Sequence, residues 1–585
     1  MKDSLVVAAT SAPRAARPAP SLLEPASARV GAEAHEREGA IVRVDDELRE
    51  ALVFAFATGH AGDALDRAVE QTTLGPTTWN AEDFAEDVYL GELIERCLPV
   101  VALGKKLPRS GSLMRRILSA PPASPATARY RQETFEELVR EPALREHAER
   151  LLVHVTTLRA LLAKPGGLRL DVFERRLSIL RAVRDVVDLA RTGFTAAASA
   201  LREIDAWGGA LSAEPAYLKL MDLLAYEECT TELDVRLRLG VDGKIRDFEV
   251  LGRRRPLASP VHRNAALRFF TKLGLFVRGE RFDDHELLAR LIDEVFERLV
   301  VHLVPLFGLA AGLEFYVSGL AFRDRAMRAG LPVTLGSFAS DPPPGAAPVA
   351  RGHELLRLWN PLLLADEARI VTSDLAIERP GARVVVTGPN SGGKTRLLQA
   401  IALSQILAQA GMFVPAERAC IPWASGLFVS LIDHQRPGAA PLGGASASEG
   451  RLGTELLRIR RLFESLRGGS LVILDELCSG TNPDEGEEIF RLVVRLLAEL
   501  HPAAFITTHF LRFASRLAAE AASAGEGDAS FGLDFLRAEL DAAENPTFRF
   551  VPGVAVTSLA HRTAVRLGVT EEGLRRAIRL RNPTS

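Results

Sequence analysis

The sequence predicts an α plus α/β chain, with a long helical scaffold followed by an α/β domain built on a mostly parallel sheet. Three observations predict it. Apolar residues recur every three or four positions through residues 129–330, the mark of helices with one buried face. From about Gly352 the texture changes, and short apolar strands alternate with helical runs. The first of those strands leads straight into a glycine-rich loop and then a helix.

Composition narrows the function. The 585 residues amount to roughly four domains' worth of chain. With 47% hydrophobic residues the chain has ample apolar surface to bury, which excludes wholesale disorder. Lys+Arg is 72 against 75 Asp+Glu, a net charge of −3, so any nucleic-acid contact must use a local basic patch. The 4 cysteines are scattered and form no CxxC pair, which fits a reducing, cytoplasmic setting. LVVAA near the N-terminus is too short for a signal peptide, and Leu299–Leu313 is too short to span a bilayer. That stretch predicts a buried helix broken near Pro305, and no membrane is expected.

Along the chain, residues 1–40 are Ala/Pro-rich and predict a disordered tail. Residues 41–120 predict a first helical region, and Pro121–Thr127 (PPASPAT) a linker. Residues 121–340 predict the helical scaffold, interrupted once: residues 235–251 alternate apolar and polar around Asp242-Gly243, a hairpin signal. Arg253, Arg254 and Arg255 follow, and fit a solvated loop or a phosphate contact equally well. No fixed-period repeat appears.

Residues 350–585 hold the α/β domain and the chemistry. Strands are expected at Arg383–Thr387, Ser470–Leu474 and Ala503–Thr507, each followed by a helix. After the first comes Gly388-Pro389-Asn390-Ser391-Gly392-Gly393-Lys394-Thr395, which fits G-x-x-x-x-G-K-[ST]. Triphosphate oxygens need several backbone N–H donors converging on them, and side chains would obstruct that approach. Glycines keep the loop open, and the following helix adds its positive end. Lys394 then supplies charge to the β/γ-phosphates, and Thr395 a hydroxyl to Mg²⁺. About 80 residues on, a strand ends in Asp475-Glu476. Asp475 suits the Mg²⁺ shell, and Glu476 is placed to orient or deprotonate the attacking water. His509 ends the third strand, where an imidazole can donate to the γ-phosphate. Pro437–Gly450 (PGAAPLGGASASEG) predicts a mobile loop, either a nucleotide-responsive element or a plain connector.

TGPNSGGKT, LVILDELCSGTNPDEG and ITTH, in that order and spacing, resemble the ATPase domain of the MutS proteins, within the ABC ATPase superfamily. Pro546–Ala560 resembles the family's segment after the ATPase core, Leu355–Leu364 its entry, and Arg129–Leu138 the start of its helical core. The resemblance implies ATP and Mg²⁺ as cofactors. It implies phosphate contacts at Lys394 and Thr395, a Mg²⁺-linked Asp475, a catalytic Glu476 and a switch His509. It also implies a homodimer in which each ATP site is completed by the partner, and double-stranded or branched DNA as the cargo.

Departures from the family pattern qualify this. The position of the family's signature serine holds Gly450, with Ser448 nearby, which bears on the trans contact and on the turnover rate. No Phe-x-Glu mismatch wedge precedes the helical core, because Phe135-Glu136-Glu137 lies in an amphipathic helix as ordinary surface. The family's clamp insertion is shortened, to the hairpin at 235–251. The C-terminal nuclease-type domain of some shorter paralogues is not expected after residues 571–581. The expected function is an ATPase acting on branched or distorted DNA. Alternatives are a nucleotide-gated machine on RNA or ribosomes, and a weakly hydrolysing switch.

Overall fold

The computed structural model describes residues 22–25, 45–165, 169–227, 232–239, 245–254, 282–339, 352–365, 370–389, 391–431, 450–478, 482–523, 532–557, 559, 565 and 567–581. They form two compact units that are not consecutive in the chain. The first comprises Met1–Gly75, Val100–Met114 and Glu133–Leu320, and the second Pro76–Pro99, Arg115–Gln132 and Ala321–Ser585. This corrects the expected boundaries near 120 and 340. Long-range hydrogen bonds draw the early segments into the second unit: Trp79 Nε1 donates to Ala424 O at 3.1 Å, and Arg131 to Ala410 O at 3.0 Å. The linker expected at 121–127 is also corrected. Pro121, Pro122 and Thr127 are buried, and Pro125 opens a helix, Pro125–Arg140. Proline suits that first helical position, where its missing N–H leaves no bond unmade.

The first unit is helical: α1 (Asp46–Thr58), α2 (Pro142–Ala163), α3 (Arg169–Thr192), α4 (Arg202–Ser212), α5 (Pro215–Glu227) and α6 (Phe282–Arg328), which continues past Leu320. Asp45 caps α1 by accepting from Glu47 N at 3.1 Å. Gly59 ends it with a left-handed backbone and sends its N–H to Ala55 O at 2.7 Å. Phe56 stacks on Phe296 with centroids 3.8 Å apart, and Phe135 meets Tyr316 edge-on at 4.9 Å. Burying such a ring contributes about 1.5–3 kcal/mol. Phe135 and Glu137 are therefore core, not the helix surface expected of them. Leu22, Leu23 and Glu24 are buried too, and Tyr316 Oη donates to Leu22 O at 2.5 Å, so part of the expected tail packs against the unit.

Helix α6 is unbroken at Pro305, contrary to expectation. A proline inside a helix costs about 3 kcal/mol, but Leu303, Val304, Leu306 and Phe307 around it are buried, and that packing offsets the lost hydrogen bond. By length and composition Leu291–Arg328 is apolar enough to cross a membrane, yet 83% of its most apolar window is buried inside the protein. Between α5 and α6, β1 (Glu232–Leu239) and β2 (Ile245–Arg254) form the expected antiparallel hairpin, longer than anticipated. Arg253 and Arg254 lie in β2, opposite Leu233 and Glu232, rather than in a loop. Asp242, Gly243 and Arg255 lie outside the described residues.

The second unit carries β3 (Glu354–Leu358), β4 (Ser373–Ala376), β5 (Arg383–Thr387), α7 (Lys394–Gln409), β6 (Arg418–Ile421), β7 (Leu427–Ser430), α8 (Gly450–Ser465), β8 (Leu471–Leu474), α9 (Pro483–Leu500), β9 (Ala503–Thr508), α10 (Leu511–Ser523), β10 (Leu533–Leu540), β11 (Pro546–Pro552) and α11 (Glu571–Arg581). Its main sheet has six strands in the order β7-β8-β9-β5-β10-β11. Every pairing is parallel except β10 with β11. This is the mostly parallel sheet the sequence predicts. Strands β5, β8 and β9 are buried throughout, as their unbroken apolar runs require when helices cover both faces. Helix α7 is buried at every position except Thr395 and Arg396.

Candidate active site

The candidate site lies at the C-terminal ends of β5, β9 and β8. Thr387 anchors the end of β5, donating to Leu536 O at 3.2 Å and accepting from Ala555 N at 2.9 Å. The glycine-rich loop leaves from there. Gly388 has φ 147°, and a Cβ on it would lie 2.7 Å from Ala538 Cβ, so only glycine fits. Gly392 N–H donates to Pro389 O at 2.9 Å and closes the turn. Gly393, at φ 85°, precedes the first helical residue of α7. Pro389 is buried and Ser391 exposed, whereas Asn390 lies outside the described residues.

Lys394 is 3% exposed, and its Nζ donates to the carbonyls of Gly388 and Pro389, each at 3.1 Å. Burial pulls its pKa below the usual lysine value, partly opposed by the carboxylates of Glu476 and Asp475. The ammonium is thus curled inside its own loop.

Asp475 is held from both sides. Thr395 Oγ1 donates to its Oδ2 and Thr507 Oγ1 to its Oδ1, each at 2.6 Å. Sheet order explains the arrangement. β9 lies between β8 and β5, with Ile506 opposite both Leu474 and Val385, so the next residue, Thr507, bridges towards the aspartate. Burial raises the Asp475 carboxyl above the usual range, against the pull of the two hydroxyls. Thr507 is a site residue that the sequence analysis did not single out. Its only signal is its position two before His509 on the neighbouring strand.

Glu476 turns away from the strand with φ 48°, and Cys478 follows at φ 61°. Left-handed backbones at residues with side chains cost roughly 1–3 kcal/mol each and persist only where surroundings fix them. Glu476 N donates to Thr507 Oγ1 at 2.6 Å, and Cys478 N donates to the Glu455 carboxylate of α8. Burial, with Glu455 beside it, pushes the Cys478 thiol up to about 12, so it is inert as a nucleophile. His509 is half-buried beside Phe510, with ring centroids 4.1 Å apart. Burial lowers its pKa; Glu476 opposes this and Lys394 adds to it, so the imidazole is neutral near pH 7.

Lys394, Thr395, Asp475, Glu476 and His509 therefore meet at one end of the sheet, as their order in the sequence implied. A second residue that sequence reasoning missed is Phe548 on β11. It is 48% exposed, with φ 60°, and its Cδ1 would lie 3.2 Å from a Cβ on Gly393. An exposed ring beside a phosphate loop suits stacking against a planar heterocycle. The Thr395 hydroxyl and Asp475 carboxylate are hard oxygen donors in direct contact, the donor type that Mg²⁺ takes. Gly450 is the first residue of α8, while Ser448 and the rest of the expected mobile loop lie outside the described residues.

Residues 384–525 match the family model for MutS domain V. An Endonuclease MutS2 from Thermus thermophilus is 32% identical over 225 residues, 38% of this chain and 27% of that protein. A second, from Thermomicrobium roseum, is 31% identical over 244 residues, 40% of this chain and 28% of its own length. The mitochondrial DNA mismatch repair protein MSH1 of Arabidopsis thaliana is 33% identical over 195 residues, 33% of this chain and 16% of that protein. The chain thus spans little more than a quarter of the MutS2 relatives it matches.

Proposed function

We propose, from the match of residues 384–525 to the ATPase domain MutS domain V, that the chain is a Mg²⁺-dependent ATPase that grips branched or distorted DNA in repair or recombination. The observation that carries the ATPase half is the hydrogen-bonded chain Thr395–Asp475–Thr507 beside the phosphate loop. ATP entering the loop gives the Lys394 ammonium phosphate oxygens in place of the Gly388 and Pro389 carbonyls. Loop amides and the N-terminus of α7 share the remaining charge. The Thr395 hydroxyl and Asp475 would hold Mg²⁺, which when bound draws charge from the β- and γ-phosphates. Glu476 orients or deprotonates the attacking water, and neutral His509 donates to the γ-phosphate. Phe548 stacks on the base.

The DNA half rests on kinship: the relatives are named for endonuclease and mismatch-repair activity. A homodimer is supported by the last segment of the chain, where Val556 (92% exposed), Leu567, Leu574 and Ile578 leave apolar surface for a second copy to cover. Among the described residues, Cys97, Cys420 and Cys478 carry thiols rather than disulfides, which supports a reducing, cytoplasmic setting. Gly450 at the head of α8 favours a second reading, a slow-turnover ATP switch.

The test is steady-state ATP hydrolysis with and without four-way-junction DNA, wild type beside Glu476→Gln. Hydrolysis stimulated by the junction and abolished by the substitution supports the proposal. ATP binding with no hydrolysis in any condition selects the switch. Hydrolysis stimulated by ribosomes or RNA but not by DNA would replace DNA as the cargo.

A further inference from the structure

Helix α8 contributes a carboxylate to the turn that carries Glu476. Glu455, half-buried, accepts a hydrogen bond from the backbone N–H of Cys478, two residues beyond Glu476. Both Glu476 and Cys478 have left-handed backbones, so this turn needs outside partners to persist. Two partners hold its N–H groups: the Thr507 hydroxyl from β9 and the Glu455 carboxylate from α8. The first fixes the start of the turn and the second its end. Helix α8 is itself anchored elsewhere. Arg458 donates to Ser430 Oγ at 3.3 Å, and Arg461 donates to Asp83 at 3.1 Å and to Glu82 at 2.9 Å. Ser430 in turn accepts Asp475 N–H through its carbonyl at 2.9 Å, so α8 and the carboxylate pair share one framework.

We propose that Glu455 is a positioning residue for hydrolysis, acting as the hydrogen-bond acceptor that locks the Glu476–Cys478 turn and so aims the Glu476 carboxylate. The proposal rests on the ATPase reading above. A carboxylate is the strong acceptor for a strained N–H, and a glutamine in its place keeps an acceptor oxygen while losing the charge. An alanine removes the acceptor. Glu476 then loses its fixed aim, whereas the phosphate loop, which binds the nucleotide, is untouched.

The full chain is compared as wild type, Glu455→Ala and Glu455→Gln. The measurements are kcat and KM for ATP, affinity for the non-hydrolysable analogue AMP-PNP, thermal midpoint, and amide hydrogen exchange over residues 471–485. The expected result for Glu455→Ala is a kcat lower by about 10-fold or more, the scale on which small misplacements act. Its KM and AMP-PNP affinity stay within about 3-fold of wild type, and exchange at the turn is faster. Glu455→Gln restores kcat and slow exchange to near wild type. An unchanged kcat in Glu455→Ala would overturn the proposal, whatever the exchange shows. So would a parallel collapse of kcat, AMP-PNP affinity and thermal midpoint, or a glutamine variant as impaired as the alanine. A wild type that binds AMP-PNP but hydrolyses no ATP sinks the ATPase reading instead. Exchange then still decides whether Glu455 holds the turn: faster in alanine and not in glutamine supports it, and no difference refutes it.

Discussion

In the helical unit, Arg175 is 8% exposed and gives its hydrogen bonds to main-chain carbonyls: Phe56 O at 2.7 Å, Ala55 O at 2.6 Å, Leu161 O at 3.1 Å and Leu162 O at 3.4 Å. Those carbonyls close the ends of α1 and α2, where helices carry partial negative charge. Glu137 in the same unit takes the amides of Ala198 at 2.6 Å and Ser199 at 3.1 Å. At the sheet's loop end the buried charges have different partners. Asp475 rests on two hydroxyls, and Lys394 on carbonyls of a loop shaped for phosphate. Backbone partners within the packed unit leave only when it unfolds. Hydroxyls and open-loop carbonyls can hand a charge to a ligand. Buried charge thus serves architecture in one region and chemistry in the other, and its partners tell which.

Substitutions can break or sharpen that contrast. The largest effect is expected at Asp475→Asn. ATP hydrolysis should fall about 10³-fold, since a metal-linked carboxylate stabilises several kcal/mol of transition-state charge. Its thermal midpoint should hardly move, because burial already disfavours the charged form there. A large loss of stability with modest loss of activity would reverse its assignment.

Arg175→Met should do the opposite. Losing the charged donor strips it from the Phe56, Leu161 and Leu162 carbonyls, at a cost of about 3 kcal/mol, while hydrolysis by the folded fraction is unchanged. Denaturant titration beside ATPase assays checks both halves. Next comes Gly388→Ala, which meets both the φ of 147° and the 2.7 Å approach of Ala538 Cβ. Strain of roughly 1–3 kcal/mol should appear as nucleotide affinity weakened about 10-fold, read by titration with a fluorescent ATP analogue.

The smallest effect is at Glu137. Burial alone would raise its carboxyl, but the Ala198 and Ser199 amides, the Ser199 hydroxyl and Arg140 bring it below the usual 4.5. A depressed folded pKa adds stability above the unfolded value and loses it as pH falls through the folded one. Glu137→Gln should therefore cost about 1 kcal/mol at pH 7, and the gap to wild type should close as pH drops below about 4. Thermal midpoints at a series of pH values check this, and a gap that widens in acid would contradict it.

Legibility followed the same divide. The phosphate loop, Asp475-Glu476 and His509 could be seen in the sequence because each is a local string whose chemistry demands those residues. Thr507 and Phe548 could not, since the order β8-β9-β5 and the return of β11 bring them to the site. The strands were visible in unbroken apolar runs such as Val384–Val386. The membership of residues 76–99 and 115–132 in the second unit was not, because single contacts such as Trp79 with Ala424 leave no periodicity. Pro305 misled for a related reason: the sequence shows the local penalty, and only the fold shows the packing that outweighs it.

The most direct test of the division of labour at the loop end measures one variant two ways. For Glu476→Gln, ATP affinity is taken by equilibrium titration and turnover by phosphate release. Affinity within about 3-fold of wild type, with turnover lower by 10²-fold or more, is the outcome expected if the loop binds and Glu476 does chemistry. Turnover that survives the substitution, or affinity that collapses with it, would contradict the assignment.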